Sequence, residues 1–225
     1  MTDNIQKGAP QCGLYLILPE NWMEPDFLTQ LKGLFRAINA SPYEKNSHVI
    51  ELREGKRPYN QEQIDIIRAM AELTKSQGVI FVVGNDVDLA KSVGADGVLL
   101  FDANDIPHAR DVMGDDAIVG LRCGTSRRMA AAALESGADY VSFYDDAGGY
   151  IDPSIIQWWR LKTDNPCLVE GRTTANDCGF YVESGVDFID ASHYVFGHPD
   201  GVMQGIVNMA DAINETLMGN KRKYH

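Results

Sequence analysis

The chain has 225 residues, 44% hydrophobic and 23% charged, with a formal net charge of −12. That length buries one sizeable core and that balance is ordinary for a folded globular protein, so extended disorder is excluded. The acidic surface argues against a nucleic acid or an anionic membrane as partner, and no stretch approaches the ~18 apolar residues of a membrane span.

Residues 1–10 are polar and carry no apolar h-region, so nothing reads as a signal peptide and a cytoplasmic setting is expected. The first apolar run, Gly13–Leu18, reads as a strand. It runs into Pro19-Glu20-Asn21, and the glycine-rich fingerprint that would mark a doubly wound dinucleotide-binding sheet is missing there. A second strand over His48–Leu52 delivers Glu51, Arg53, Glu54 and Lys56 to its C-terminal end. Asn60 three residues before Gln63, then Ile64, Ile67 and Met70 at helical spacing, reads as a capped helix closed by Gly78.

The third strand, Val79–Val83, is followed by Gly84, Asn85 and Asp86, and this polar trio is expected to line a pocket. The fourth, Gly97–Leu100, is followed by Asp102, Asn104 and Asp105, with Asp105 placed to cap a helix opening at Ile106-Pro107. The fifth, Ala117–Leu121, leads to Arg122 and Thr125. The sixth, Tyr140–Phe143, leads to Tyr144, Asp145, Asp146, Gly148 and Gly149. Asp152-Pro153 opens another helix, whose Trp158 and Trp159 are expected to pack against the sheet. The seventh strand, Cys167–Glu170, runs into Gly171-Arg172-Thr173, and Thr174 with Asp177 resembles a capping arrangement for a helix ending near Gly185. The eighth, Phe188–Ala191, ends in Ser192 and His193.

Strands alternate with helices throughout, the order of βα units around a parallel sheet. Gly94-Ala95-Asp96, Gly137-Ala138-Asp139 and Gly185-Val186-Asp187 form a weak repeat, 43 and 48 residues apart, about two units each. Eight units without a linker predict an α/β fold with parallel strands: a single-domain (β/α)8 TIM barrel over 1–225, with flexible ends at 1–11 and 220–225. Lys221-Arg222-Lys223 belongs to such an end. Cys12, Cys123, Cys167 and Cys178 stand far apart with no C-x-x-C pair, as expected of reduced, buried thiols.

In such a barrel, chemistry gathers at the loops after the strands. Arg53, Arg122 and Arg172 are then aimed at a common centre, and a guanidinium fork suits phosphate oxygens; the competing reading pairs these arginines with the acids beside them. Gly171, Arg172, Thr173 and Thr174 offer backbone amides as an anion pocket. Asp86, Asp102 and Asp105 are candidate magnesium ligands, against helix capping as the plainer role. His193 is a candidate general acid or base, against a scaffold role. Tyr144 and His198 are candidates for the wall of the mouth. The expected partner is a phosphorylated small molecule, and a homo-oligomer is compatible with the sequence.

Leu14-Tyr15-Leu16, Ile50-Glu51-Leu52-Arg53-Glu54, Val87-Asp88-Leu89-Ala90 with Gly94-Ala95-Asp96-Gly97-Val98, and Gly137-Ala138-Asp139-Tyr140-Val141 resemble, in order, the thiamine-phosphate synthase family and its thiazole tautomerase relatives. The resemblance covers most of the chain and implies the same barrel. It also implies an activity: hydroxymethylpyrimidine diphosphate loses pyrophosphate with magnesium (Mg2+) assistance, and the nitrogen of a thiazole phosphate captures the pyrimidine cation. Against the family's pattern, Glu51 replaces a glutamine, Arg53 stands, and Gly55 displaces Lys56 by one. Gly84-Asn85-Asp86 replaces Asn-Asp-Arg, so the metal-binding aspartate is lost there unless Asp86 has shifted into the role; Asp105 or Asp102 is the substitute for the second ligand. Arg122 takes the place of a pyrophosphate-binding serine and Gly124 that of a histidine, with Thr125 retained beside it. The sixth loop has no counterpart to the family's lysine, and the seventh keeps only Gly171. Three readings follow: a divergent synthase, an isomerase or lyase on the same barrel, and a binding protein without turnover.

Overall fold

Side chains alternate across each strand, so a ring of strands needs one apolar set for its helical coat and another for its interior. The chain supplies both. The structure, a computed structural model, describes residues 11–24, 26–40, 48–53 and 58–223, and among these no helix is long and apolar enough to cross a membrane. Eight parallel strands close into a barrel in sequence order: β1 (Gly13–Ile17), β2 (Val49–Leu52), β3 (Ile80–Gly84), β4 (Gly97–Leu100), β5 (Ile118–Arg122), β6 (Tyr140–Phe143), β7 (Cys167–Val169) and β8 (Phe188–Asp190). The helices between them are α1 (Phe27–Ala40), α2 (Gln61–Ser76), α3 (Val87–Val93), α4 (Ile106–Met113), α5 (Arg127–Glu135), α6 (Ser154–Lys162) and α7 (Cys178–Glu183), followed by α8 (Ser192–Phe196) and α9 (Val202–Lys223). The predicted strands are all present, with ends shifted by at most one residue.

Leu14, Leu16, Ile50, Leu52, Phe81, Val83, Val98 and Leu100 face outward into the main core with the helices. Tyr15, Val49, Val82, Leu99, Tyr140 and Leu168 fill the interior as a separate cluster. Room for the Tyr140 ring comes from Gly120, where a Cβ would sit 2.2 Å from the ring. Trp159 is buried and meets Phe143 edge-on, with centroids 6.1 Å apart, so α6 packs on the barrel as its tryptophans predict. All four cysteines are free and buried.

The predicted cap of α2 forms in full: Asn60 Oδ1 accepts from the Gln63 amide at 2.9 Å and Gln63 Oε1 accepts from the Asn60 amide at 3.0 Å. Asp105 is a correction. Its backbone is already helical (φ −84°, ψ −10°) and its side chain makes no cap bond, because a 3₁₀ turn over Ala103–Asp105 precedes α4 and Asp102 caps that turn. A cap needs an extended backbone, which Asp102 has (φ −128°, ψ 129°) and Asp105 lacks.

At the N-terminal rim the repeat becomes a device. Asp96, Asp139 and Asp187 each accept the amide at the start of the preceding strand: Phe81 at 2.9 Å, Val119 at 2.7 Å and Cys167 at 2.9 Å. Lys75, Arg110 and Arg160 attend them from α2, α4 and α6. His48 holds the same place before β2, and its Nδ1 accepts from the Leu14 amide at 3.3 Å.

Candidate functional site

The C-terminal ends of the strands bring together a buried ionic network. Ile17 and Glu51 are register partners on β1 and β2, as are Arg122 and Ser142 on β5 and β6. Glu51 and Ser142 are 0% exposed, Glu170 5% and Asp190 6%. Gly84 makes space for Glu51, whose carboxylate would lie 2.8 Å from a Cβ at that position.

Arg53, one residue past β2, grips Glu51: Nε donates to Oε1 at 2.7 Å and Nη2 to Oε2. Its Nη1 donates to Glu170 Oε2. Arg122 reaches the same carboxylate from across the barrel, Nε to Oε1 and Nη2 to Oε2, both at 3.0 Å, and the Ser142 hydroxyl also donates to Oε1. The Arg122 guanidinium carbon lies 3.7 Å from the Tyr144 ring centroid and 5.0 Å from that of Phe101. Asp190 Oδ1 accepts from the Ser192 amide at 2.9 Å and from its hydroxyl, and Oδ2 from the Gly171 amide at 3.3 Å.

Two buried acids thus meet two arginines, and a third, Asp190, is held by Ser192 and the Gly171 amide. Burial raises the pKa of Glu51, and Arg53 opposes the rise. Burial works against the Arg53 charge, but Glu51 and Glu170 outweigh it and hold its pKa above the ordinary arginine range. Asp190 is pushed up to about 6 by burial, against the bonds from Ser192. Below this layer the Tyr15 and Tyr140 hydroxyls lie 3.4 Å apart, and burial raises both.

Above the network opens a cleft of about 350 Å³ walled by Arg122, Tyr144, Glu170, Arg172, Ser192 and His193. A second groove, about 410 Å³, lies in the outer layer between α7 and α9, against Phe180 and Thr216. The α7–α9 groove carries Glu183 and Glu215 as its ionisable groups, whereas the strand-end cleft opens on the buried ionic network and joins arginines, carboxylates and a histidine, and it is the candidate site.

The sequence-predicted residues separate accordingly. Arg53 and Arg122 converge, but on Glu170; Arg172 is exposed on the cleft wall beside exposed His193. Glu51 is sealed beneath Arg53. Lys56 lies outside the described residues. Thr125 is exposed ahead of Ser126, the cap of α5. Thr173 is buried. Gly171 (φ 153°) gives its amide to Asp190 and Thr174 gives its own to Asp177 at 2.6 Å, so carboxylates of the chain itself take two of the four amides expected to bind an anion.

The Gly84-Asn85-Asp86 trio is corrected: it does not form a wall of the cleft. Asn85, at φ 53°, links β3 to β4 through its amide to Leu99 O at 2.9 Å and through Oδ1, which accepts from the Phe101 amide at 3.2 Å. Asp86 caps α3 by accepting from the Leu89 amide at 2.9 Å. His198 is held at the α8–α9 junction by Asn208 at 3.1 Å.

Magnesium takes oxygen ligands and is ordinarily held by one or two carboxylates together with waters and substrate phosphates. Asp86 and Asp102 are engaged as caps, both oxygens of Glu51 and Glu170 face arginine, and no group of three His, Cys, Asp or Glu is gathered for a metal among the described residues. Asp105 makes no cap bond, and the described residues offer single carboxylates to the ion, not a ready-made cage.

Glu170, Asp190, Ser192 and Tyr144 appear in the sequence only as residues near strand ends. Ser142 is missed altogether, although its signal is plain afterwards: in Tyr140-Val141-Ser142-Phe143 it shares the inward face with Tyr140.

A family model described as thiamine monophosphate synthase matches residues 14–193. The thiamine-phosphate synthase of Rhodospirillum centenum is 31% identical over 199 residues, 84% of this chain and 92% of the relative. That of Haloarcula marismortui is 40% identical over 163 residues, 67% of this chain and 76% of the relative. Among solved structures, the thiamine phosphate pyrophosphorylase of Pyrococcus furiosus superposes with a TM-score of 0.73 at 21% identity, covering 93% of this chain and 98% of that one.

Proposed function

Since the chain belongs to the thiamine monophosphate synthase family, we propose that it is a thiamine-phosphate synthase-like protein of thiamine biosynthesis, working at the cleft over β5–β8. In this reading it joins hydroxymethylpyrimidine diphosphate to thiazole phosphate and releases pyrophosphate, in the cytoplasm. The observation that carries it is the convergence of Arg53 and Arg122 at the mouth of a barrel matched by that family along 14–193.

The chain's own groups suit the two charges that such a bond cleavage separates. The exposed guanidinium of Arg172, and that of Arg122 where Glu170 yields it, offer donors to the negative charge growing on a leaving phosphate. The carboxylates of Glu51 and Glu170, held in a water-poor layer, favour the positive charge growing on the organic partner. Tyr144 and Ile17 offer apolar and aromatic surface to a flat ring. Magnesium held with the substrate phosphates by Asp102 or Asp105 would neutralise further charge on the leaving group.

A second reading has its own support. Glu170 already engages both converged arginines, as expected of an altered homologue that binds a phosphorylated small molecule without synthase turnover, or of an isomerase or lyase using His193 or an acid. Purified protein incubated with both substrates, with and without magnesium, is expected to yield thiamine phosphate. No product beside a working control overturns the synthase reading, and calorimetry with each compound then separates a binder from another enzyme.

A further inference from the structure

Glu170 makes the contacts that an incoming anion would make. A carboxylate offers about four lone-pair directions, and four donors are in place: Arg53 Nη1 and Arg122 Nη2 on Oε2, Arg122 Nε and Ser142 Oγ on Oε1. The Arg122 pairing is the side-on fork that guanidinium uses for carboxylate and phosphate alike. The carboxylate is buried, while both arginines stay about one-fifth exposed, Arg122 on the wall of the cleft. Arg122 is further fixed by the Tyr144 and Phe101 rings, so it is set to meet an anion in this one place.

We infer that Glu170 is a built-in occupant of the anion seat formed by Arg53, Arg122 and Ser142, and that it is the specificity-determining residue setting how well this mouth accepts a diphosphate. The inference rests on the family reading of the cleft as a site for phosphate esters and adds what governs entry. A diphosphate and the Glu170 carboxylate compete for the same donors. While Glu170 is seated, the exposed Arg172 is left for a single phosphate at the rim, and the deeper seat is closed to a polyanion.

The test is titration of inorganic pyrophosphate, without magnesium, into wild type, Glu170→Gln and Glu170→Ala, followed by calorimetry and phosphorus NMR. Removing one buried charge about 5 Å from the ligand is expected to tighten binding about a hundredfold in Glu170→Ala and about tenfold or more in Glu170→Gln. Adding Arg122→Met to Glu170→Ala is expected to abolish the gain. Equal affinities in all three proteins, or a gain that survives Arg122→Met, overturns the inference.

Should neither Glu170 variant fold, Arg122→Met in the wild-type background decides. Unchanged pyrophosphate affinity supports a seat already taken, and a tenfold loss overturns it. None of these readouts uses the pyrimidine or thiazole substrate, so failure of the synthase assay and failure of this inference are told apart.

Discussion

The guanidinium of Arg122 lies 3.7 Å from the centre of the Tyr144 ring, directly over a face that would otherwise be open to the cleft. A cation held over an aromatic face in a partly dried site is stabilised by about 1 kcal/mol. Tyr144→Leu is therefore expected to lower stability by about 1 kcal/mol in urea unfolding, and Tyr144→Phe, which keeps the ring, by far less. Equal losses in the two would assign the effect to the hydroxyl and remove the stacking.

Arg53 neutralises Glu51 where water does not reach. Breaking that pair by Arg53→Met leaves a buried, unpaired carboxylate, with an expected loss of about 3–5 kcal/mol. Replacing both by leucine and methionine removes the orphaned charge along with the pair, so the double variant is expected to be more stable than Arg53→Met alone. A double-mutant cycle by denaturant unfolding measures this, and simple additivity contradicts it.

Two buried groups pull the stability curve in opposite directions across one pH range. Burial lowers His48 from 6.5 to about 4, so the unfolded chain binds the extra proton: His48 contributes stability that is complete above pH 6.5 and lost as pH falls toward 4. Asp190 is raised from 3.8 to about 6, so the folded chain holds the proton: its contribution is complete below pH 3.8 and lost as pH rises through 6. His48→Asn is expected to make stability fall more steeply between pH 4 and 6 relative to wild type, and Asp190→Asn to make it rise. Unfolding free energies at several pH values check both slopes, and a matched slope in either variant refutes that group's share.

Gly120 exists for Tyr140. A Cβ there would lie 2.2 Å from the ring, so Gly120→Ala is expected to cost 3 kcal/mol or more, above the ~1–3 typical of overpacking. Pairing it with Tyr140→Leu is expected to recover much of the loss. Thermal unfolding of the single and double variants compares them, and an undiminished loss would place the strain in the backbone.

The barrel was legible because each signal for it is local. Apolar runs such as Tyr140–Phe143 and Gly97–Leu100 mark strands within one residue, and Asn60 with Gln63 marks a helix start by chemistry contained in four residues. The strand-end rule also put Arg53 and Arg122 at the mouth. What they would bind there was not legible, since Glu170 is 117 residues from one and 48 from the other, and only closure of the ring brings the three together. Asp86 and Asp102 were ambiguous for a different reason: capping and metal binding ask for the same residue type at the same loop positions. The Asp96, Asp139 and Asp187 repeat was visible as spacing, but its purpose was not, because the amides it satisfies belong to the preceding strands.

Those three aspartates, with His48 in the fourth place, fasten the strands at the rim opposite the cleft. The molecule is consequently clasped from underneath as well as tied at its upper edge, where Asn85 joins β3 to β4. Substitutions around the opening, at Glu51, Arg122 or Glu170, would leave that lower clasp untouched.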